Sequence, residues 1–230
     1  MTKARVTAAR RGPIEAPVEE GIVWGRRSWV PLLVMAIIIA AVAGSGLLIS
    51  RALERPVPKP LAGCQTSVQI APYQYLGPQP MCITASQVLD ATVTTTQGPF
   101  VIRLAPEVAP ITVNNFVVLA THGYFNGLAF WKAEDWVTQA GDPLNNGRGG
   151  PGYSLPDEPS ATRWGLAAVG MARVPGGAVN GSQFFIQKAA WPGSGPTEVY
   201  NRFGTVTSGM GIVQTLTATD TITSITIKVS

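Results

Sequence analysis

The chain has 230 residues and a formal net charge of +4 at neutral pH. That length predicts one domain of about 150 residues with additional segments. Residues 1–60 hold nine Lys or Arg against four Asp or Glu, whereas residues 61–230 hold eight against nine. The basic excess is therefore confined to the N-terminal quarter, which argues against nucleic-acid binding by the folded part.

The N-terminal quarter predicts a tail followed by a membrane anchor. Residues 1–28 are polar, basic and without hydrophobic periodicity, which is typical of a disordered cytoplasmic tail. An uncharged run then begins at Trp29 and ends at Ile49. At 1.5 Å per residue a helix of this length spans about 30 Å, the thickness of a bilayer's hydrocarbon core. We therefore predict a transmembrane helix over residues 29–50. A cleaved signal peptide is the alternative, but its apolar region is only about 7–15 residues long.

Basic residues and cysteines bear on the orientation of this anchor. Four Lys or Arg residues lie within about 20 residues before the run and three follow it closely, so the positive-inside rule narrowly favours a cytoplasmic N-terminus and an extracytoplasmic domain at the cell membrane. Cys64 and Cys82, the only two cysteines, could close a short loop, as in proteins of oxidising compartments. Two unpaired thiols are the alternative. Together with a single histidine they cannot make a usual zinc set, so no metal site is predicted.

Small residues recur along the predicted membrane helix. Ala36, Ala40 and Gly44 share one helix face, where another transmembrane helix could approach closely. Beyond the membrane, residues 51–87 are rich in proline and lack periodicity. They predict a stiff linker and an irregular stalk that hold the following domain away from the bilayer.

Residues 88–230 carry the periodic patterns of a globular domain. β-Branched runs over 91–96 and 100–104 surround a Gln-Gly-Pro turn and predict a hairpin. Helices are predicted over 110–121, which opens with proline, and near 211–218, before a last strand over 221–229. Many short strands with two helices favour a mainly β fold, a closed barrel capped by helices.

The strand with the sequence NGSQFFI presents two different faces. Alternation places Ser182, Phe184 and Ile186 on one side, which predicts a core face. Gln183 and Phe185 fall on the other side, an amide beside an aromatic ring that suits a site for a peptide group. The alternative is a buried aromatic strand with one hydrogen-bonded glutamine.

This strand resembles the signature strand of the cyclophilin-type peptidyl-prolyl isomerases, and further blocks match in the same order. They are TVNNFVVLA at 112–120, GYFNGLAF at 123–130, QAGDP at 139–143, GRGGPGY at 147–153, GMA at 170–172 and RFG at 202–204. The resemblance implies an eight-stranded antiparallel barrel that rotates X-Pro bonds of polypeptides without a cofactor. With the predicted anchor, it suggests a membrane-anchored bacterial form of the family.

The resemblance also implies a set of site residues. Gln139 corresponds to the glutamine that binds the substrate carbonyl and Gln183 to the family's second conserved glutamine. Trp136 and Val137 take the apolar pocket positions above Phe185 as the pocket floor. The other predicted substrate-binding residues are Phe130, Ala172, Arg173, Trp191, whose spacing is two residues short, and Tyr200.

Departures from the family pattern concern the chemistry. Lys132 replaces the catalytic arginine, and Arg173 replaces an asparagine. Lysine is a point charge on a flexible stem and cannot reproduce the guanidinium fork, so we expect Lys132 and Gln139 to catalyse weakly. Two functions stay open: an isomerase that acts on exported or membrane proteins, and a non-catalytic binding module or accessory subunit of a membrane complex.

Acidic pairs elsewhere in the domain predict no catalysis. Glu134-Asp135 and Asp157-Glu158 are adjacent residues whose side chains diverge on a strand, so both pairs are interpreted as solvated turn charges. His122 lies at the predicted end of the first helix, where it is interpreted as a capping or solvent-exposed side chain.

Overall fold

The computed structural model of the protein describes residues 61–193, 195–196 and 198–230. Within these residues the chain forms eleven strands and two helices. They are β1 (Gln69–Ala71), β2 (Gln74–Tyr75), β3 (Leu89–Thr95), β4 (Gly98–Leu104), α1 (Pro110–Thr121), β5 (Lys132–Ala133), β6 (Val137–Ala140), β7 (Ser154–Leu155), β8 (Ala168–Arg173), β9 (Val179–Gln187), β10 (Arg202–Ser208), α2 (Met210–Thr215) and β11 (Ile222–Val229).

The predicted tail, the predicted membrane helix over 29–50 and its small-residue face lie outside the described residues. Neither α1 nor α2 is long and apolar enough to cross a membrane.

Nine strands form one antiparallel sheet in the order β11-β3-β4-β10-β8-β9-β6-β5, with β7 paired to β9. The sheet curls into a half-barrel whose ends meet at one β-bridge between Ala129 and Thr221. Beside it, the Phe130 amide donates to the Asp220 carbonyl at 3.0 Å. The sheet is therefore not a closed eight-stranded barrel, and that part of the prediction is wrong. Its ladders are not continuous because β5, at two residues (Lys132–Ala133), is too short to pair along β11.

Helix α1 has the bounds that the sequence predicts and contributes its apolar side to the main core. Val113, Phe116 and Val117 are fully buried. The ring of Phe116 lies 5.6 Å from that of Phe184 on β9, edge to face, an arrangement that aromatic quadrupoles favour. The second helix is shorter than predicted, since Leu216 already has an extended backbone.

The start of α1 is capped from a distant loop. Its N-cap residue supplies no side-chain hydrogen bond. Instead, the Glu158 carboxylate accepts from the backbone amides of Ile111 and Thr112 at 2.9 and 2.8 Å, where the helix dipole favours a negative charge. Asp157 pairs with Arg173 at 3.1 Å. The interpretation of Glu158 as a solvated turn charge is therefore wrong, whereas the Asp157 side chain is half exposed.

The segment over 61–87, predicted as an irregular stalk, packs into the folded domain. Leu61 and Tyr75 are buried in the main core, and Cys64 and Cys82 form a disulfide. The stalk interpretation fails because short irregular segments can bury scattered side chains without showing any period. The segment over 61–87 is therefore part of the folded domain.

Strand β9 positions the functional site because it is buried on both sides. Phe184 and Ile186 point into the main core, as predicted. Phe185 belongs to a second, smaller apolar cluster, and Gln183 lines a cavity beside that cluster. Successive side chains of this one strand thus point alternately into the core and toward the site.

Candidate active site

An apolar pocket opens on the outer side of β6, β8 and β9. Its floor is formed by Val137, Ala172 and Phe185, all of them buried. Trp136 and Tyr200 pack around the floor. The pocket encloses about 230 Å³, a volume that suits one small apolar ring rather than an extended ligand.

Aromatic rings make the walls of this pocket. The ring of Phe185 lies 5.5 Å from Tyr200 and 5.8 Å from Trp191, both edge to face. Trp191 in turn lies 5.1 Å from Trp136. Burial raises the pKa of the Tyr200 phenol, and the negative charge of Glu198 raises it further. The phenol therefore stays neutral at physiological pH and acts as an apolar wall with one hydroxyl.

Trp164 packs against the apolar cluster of the pocket floor, and the sequence analysis missed it. Its indole stacks on Phe185 at 5.4 Å and 27°. Trp164 lies in an irregular loop without hydrophobic periodicity, but Gly170 could have indicated that a side chain approaches its strand closely. A Cβ at Gly170 would lie 2.5 Å from the Trp164 ring, and glycine inside a strand often marks such a close approach.

Two glutamine side chains form a fixed relay beside the pocket. Gln183 Nε2 donates to the carbonyl of Gly149 at 2.7 Å. Since a carbonyl only accepts, this bond orients the Gln183 amide and leaves its Oε1 to accept from Gln139 Nε2 at 2.8 Å. Gln139 therefore keeps one N–H and its oxygen for the cavities that it lines.

Lys132 lies directly opposite Gln139 in the β5–β6 pair and lines the same cavities. Its Nζ is 3.3 Å from Glu134 Oε1 and 5.9 Å from the centre of the Trp136 ring. The second oxygen of Glu134 accepts from the Trp136 indole at 2.8 Å. Glu134 is therefore not a free turn charge, as the sequence had suggested, because it ties the ammonium to the pocket wall.

Arg173 lines the pocket, but its guanidinium is engaged elsewhere. The side chain is only 9% exposed. It donates twice to the carbonyl of Gly177, at 2.9 and 2.6 Å, and once to that of Val199, at 2.5 Å. With the Asp157 ion pair, these bonds make Arg173 a brace between the loops that border the site.

The structure brings almost all of the predicted site residues together. Those that line the apolar pocket are Lys132, Trp136, Val137, Gln139, Ala172, Arg173, Phe185, Trp191 and Tyr200, while Gln183 lines an adjoining cavity of about 200 Å³. Phe130 is the exception. Its side chain is fully buried in the main core, so its prediction as a substrate-binding residue is wrong. Its backbone amide bonds to Asp220 where the sheet ends meet, and its ring packs into the core.

Among the described residues, no group of three His, Cys, Asp or Glu side chains is placed to hold a metal ion.

Comparisons with known proteins all indicate the same family. The model of the family "Cyclophilin type peptidyl-prolyl cis-trans isomerase/CLD" matches residues 90–229. A peptidyl-prolyl cis-trans isomerase-like 1 from Neurospora crassa is 37% identical over 131 residues, which is 54% of this chain and 78% of that protein. Peptidyl-prolyl cis-trans isomerase B from Streptomyces anulatus is 35% identical over 158 residues, 59% of this chain and 87% of that protein.

A solved structure agrees with this family at the level of the fold. The crystal structure of a cyclophilin type peptidyl-prolyl cis-trans isomerase from Cryptosporidium parvum has a TM-score of 0.55 and 25% identity, covering 61% of this chain and 98% of that one. The chain belongs to the cyclophilin-type peptidyl-prolyl cis-trans isomerase family.

Proposed function

We propose that this protein is a peptidyl-prolyl cis-trans isomerase that acts on X-Pro bonds of polypeptides. The observation that carries the proposal is an apolar aromatic pocket of about 230 Å³ directly beside the fixed amide of Gln139 and the ammonium of Lys132. Rotation about an X-Pro bond requires neither a nucleophile nor a metal. It requires a lowered resonance barrier, which is about 18–20 kcal/mol in a free peptide bond.

The geometry supports a division of labour between three side chains. The proline ring enters the pocket over Phe185, where burial excludes water. The remaining N–H of Gln139 donates to the carbonyl that precedes the proline. As the amide twists, its nitrogen loses resonance and becomes a hydrogen-bond acceptor, toward which Lys132 can direct its ammonium. Such a donor acts more strongly on the twisted state than on the planar one, which lowers the barrier.

Catalysis is expected to be weaker than with an arginine in this place. The ammonium of Lys132 is held by Glu134, so part of its charge is neutralised before substrate binds. Arg173 does not replace the missing guanidinium, because its donors serve Gly177, Val199 and Asp157. Binding of proline and acceleration of its rotation therefore depend on different residues in this site.

A direct test uses the full chain in detergent and an assay of X-Pro isomerisation. We expect a measurable rate that Phe185→Ala abolishes, since it removes the pocket floor. Lys228→Ala, on the exposed edge of β11, is the control and should leave the rate unchanged. A rate that survives Phe185→Ala would show that the activity does not come from this pocket.

A non-catalytic binding module or accessory subunit is the second candidate. The observation in its favour is that both cations of the pocket, Lys132 and Arg173, already have partners within the chain. Binding of X-Pro peptides without any acceleration of their exchange would favour this candidate over the isomerase. If the wild-type protein neither binds X-Pro peptides nor accelerates their isomerisation, both functions are rejected for this pocket.

We further propose that the protein is anchored in the cell membrane and faces exported or membrane proteins as clients. The support is the uncharged run from Trp29 to Ile49 and the disulfide between Cys64 and Cys82. In this arrangement the tail (1–28) is cytoplasmic and the domain is outside. Proteases added to intact spheroplasts should then digest the domain, whereas protection of the domain would reverse the orientation.

The membrane segment itself is proposed to contact other transmembrane helices through Ala36, Ala40 and Gly44. Gly44→Leu adds bulk on that face without reducing hydrophobicity, so it should lower the co-purification of a membrane partner. Val42→Leu, off this face, is the matched control. Equal recoveries of the partner would argue against the small-residue face.

A further inference from the structure

A third cavity adjoins the site but has no role in the rotation itself. It encloses about 440 Å³ and is lined by polar side chains that include Gln74, Arg148, Ser154 and Asn180. Asn180 also lines the cavity of about 200 Å³ that contains Gln139. The apolar pocket, this middle cavity and the third cavity therefore share lining residues in succession, as the subsites of an extended polypeptide would.

One wall of the third cavity comes from the segment over 61–87. Gln74 Nε2 donates to the carbonyl of Gly150 at 2.8 Å, and the Tyr75 amide donates to the carbonyl of Pro151 at 2.8 Å. A Cβ at Gly152 would lie 2.9 Å from Gln74 Oε1, so the two segments of the chain are in close contact. This wall precedes residues 90–229, which match the family model. The cavity is therefore shaped partly by sequence outside the family's common region.

The base of the cavity is also rigid. The buried carboxylate of Asp142 accepts from the backbone amides of Leu144, Asn146 and Gly147. The side chain of Asn146 accepts from the Arg148 amide at 3.0 Å. These bonds fix the loop that presents Arg148, so its guanidinium extends from a defined position.

The polar groups of the cavity match an anionic ligand. Its lining residues include Arg148 and Ser154 but no Asp or Glu. Within the described residues, no carboxylate lies within ion-pair distance of Arg148. An arginine fork binds carboxylates through two parallel hydrogen bonds. Among the described residues, the cavity thus offers a cation without an ion-pair partner.

We infer that this cavity binds an Asp or Glu side chain of the same polypeptide whose proline occupies the apolar pocket. The inference rests on the proposed function, because the proline fixes where the rest of the client lies. The middle cavity separates the two ends, so the acidic residue lies more than one residue from the proline. The preferred clients would then be proline segments with one acidic residue at a fixed distance.

The test measures the affinity of the full chain in detergent for labelled proline peptides. Each peptide carries a single Glu at one position before or after the proline, and its matched partner carries Gln there. We expect one position at which Glu binds about two- to fivefold more tightly than Gln at low salt, as an exposed arginine–carboxylate pair allows. Arg148→Ala should remove this preference without changing the affinity for the Gln peptide.

Two variants complete the design. Arg148→Lys should keep part of the preference, since the charge remains but the fork is lost. Arg163→Ala, an exposed arginine that does not line the cavity, should keep all of it. If no position shows a preference for Glu over Gln, or if the preference survives Arg148→Ala, the inference is overturned. If the Gln peptide still binds in that case, the proposed function is unaffected. If no peptide of either kind binds, the proposed function fails and the inference fails with it.

Discussion

The indole of Trp164 stacks on the ring of Phe185, with centroids 5.4 Å apart and 27° between their planes. The phenyl ring of Phe185 in the pocket floor is therefore backed by a second aromatic ring. Gly170 makes this possible, because any side chain there would meet both rings, at 2.5 and 2.8 Å. The floor is thus supported by a loop tryptophan and a strand glycine, neither of which lines the cavity.

Replacing Trp164 by Ala should lower both stability and peptide affinity. The ring is half buried, so the free energy of unfolding should fall by about 1–3 kcal/mol, less than for a fully buried tryptophan. The affinity for X-Pro peptides should fall because Phe185 loses its support. Denaturant unfolding and peptide titration measure the two effects. Trp164→Phe should restore most of the affinity, and an unchanged affinity in the Ala variant would contradict this view of the floor.

Lys132→Arg should raise the isomerisation rate by about ten- to a hundredfold, because one well-placed charge-assisted hydrogen bond stabilises a transition state by about 1.5–3 kcal/mol. Peptide affinity should change little, since the apolar pocket is untouched. Glu134→Gln should also raise the rate, because the amide can still accept from the Trp136 indole but no longer neutralises Lys132. A wild-type rate already insensitive to both changes would mean that Lys132 is not the donor.

Gln183→Ala should lower kcat/KM by about two- to tenfold without abolishing proline binding. The variant removes the acceptor that orients the Gln139 amide, so the carbonyl of the substrate loses a charge-free hydrogen bond of about 0.5–1.5 kcal/mol. Gln214→Ala, exposed on α2, is the control. Equal kinetics in Gln183→Ala and wild type would show that Gln139 does not depend on its neighbour.

Sequence analysis predicted the parts of this site that follow a period and missed those that depend on distant contacts. The alternation of β9 placed Gln183 and Phe185 on the site face, and family resemblance identified most pocket residues. Neither signal could reveal that Trp164 stacks under the pocket. Phe130 was misplaced because its block matches the family but its side chain faces the core.

Acidic residues and the segment over 61–87 show the same limit. Glu134 and Glu158 look like turn charges in the sequence, yet each accepts hydrogen bonds from a partner that periodicity does not identify. The segment over 61–87 lacks a pattern because its buried residues, such as Tyr75, pack singly. Long-range pairing, not local propensity, decides these positions.

Removal of the disulfide by Cys64→Ala with Cys82→Ala should destabilise the domain. The cysteines are 18 residues apart, and closing such a loop restricts the unfolded chain by about 3 kcal/mol in the chain-entropy model. The midpoint of denaturant unfolding should fall by a matching amount. Reductant should lower the midpoint of the wild type but not that of the double variant. A wild-type midpoint that reductant leaves unchanged would contradict the expected contribution.

Asp220 should make the stability of the domain sensitive to acid. Hydrogen bonds from the Thr96 hydroxyl, from the backbone amide of Thr217 and from the Gln97 amide hold its pKa well below the ordinary value. A carboxylate with a lowered folded pKa stabilises the fold above its unfolded pKa, near 4, and this stabilisation is lost as the pH falls toward the folded value. The bonds also join the β3–β4 turn to the start of β11, where the sheet ends meet.

Asp220→Asn tests this relation, because asparagine keeps the shape but not the charge. The wild type should be more stable than the variant by a constant amount between about pH 5 and 7. The difference should then shrink from about pH 4 downward, as Asp220 takes up a proton. Denaturant unfolding at a series of pH values measures it, with the exposed Asp135→Asn as the control. A difference that stays constant down to about pH 2 would show that the carboxylate charge does not stabilise this junction.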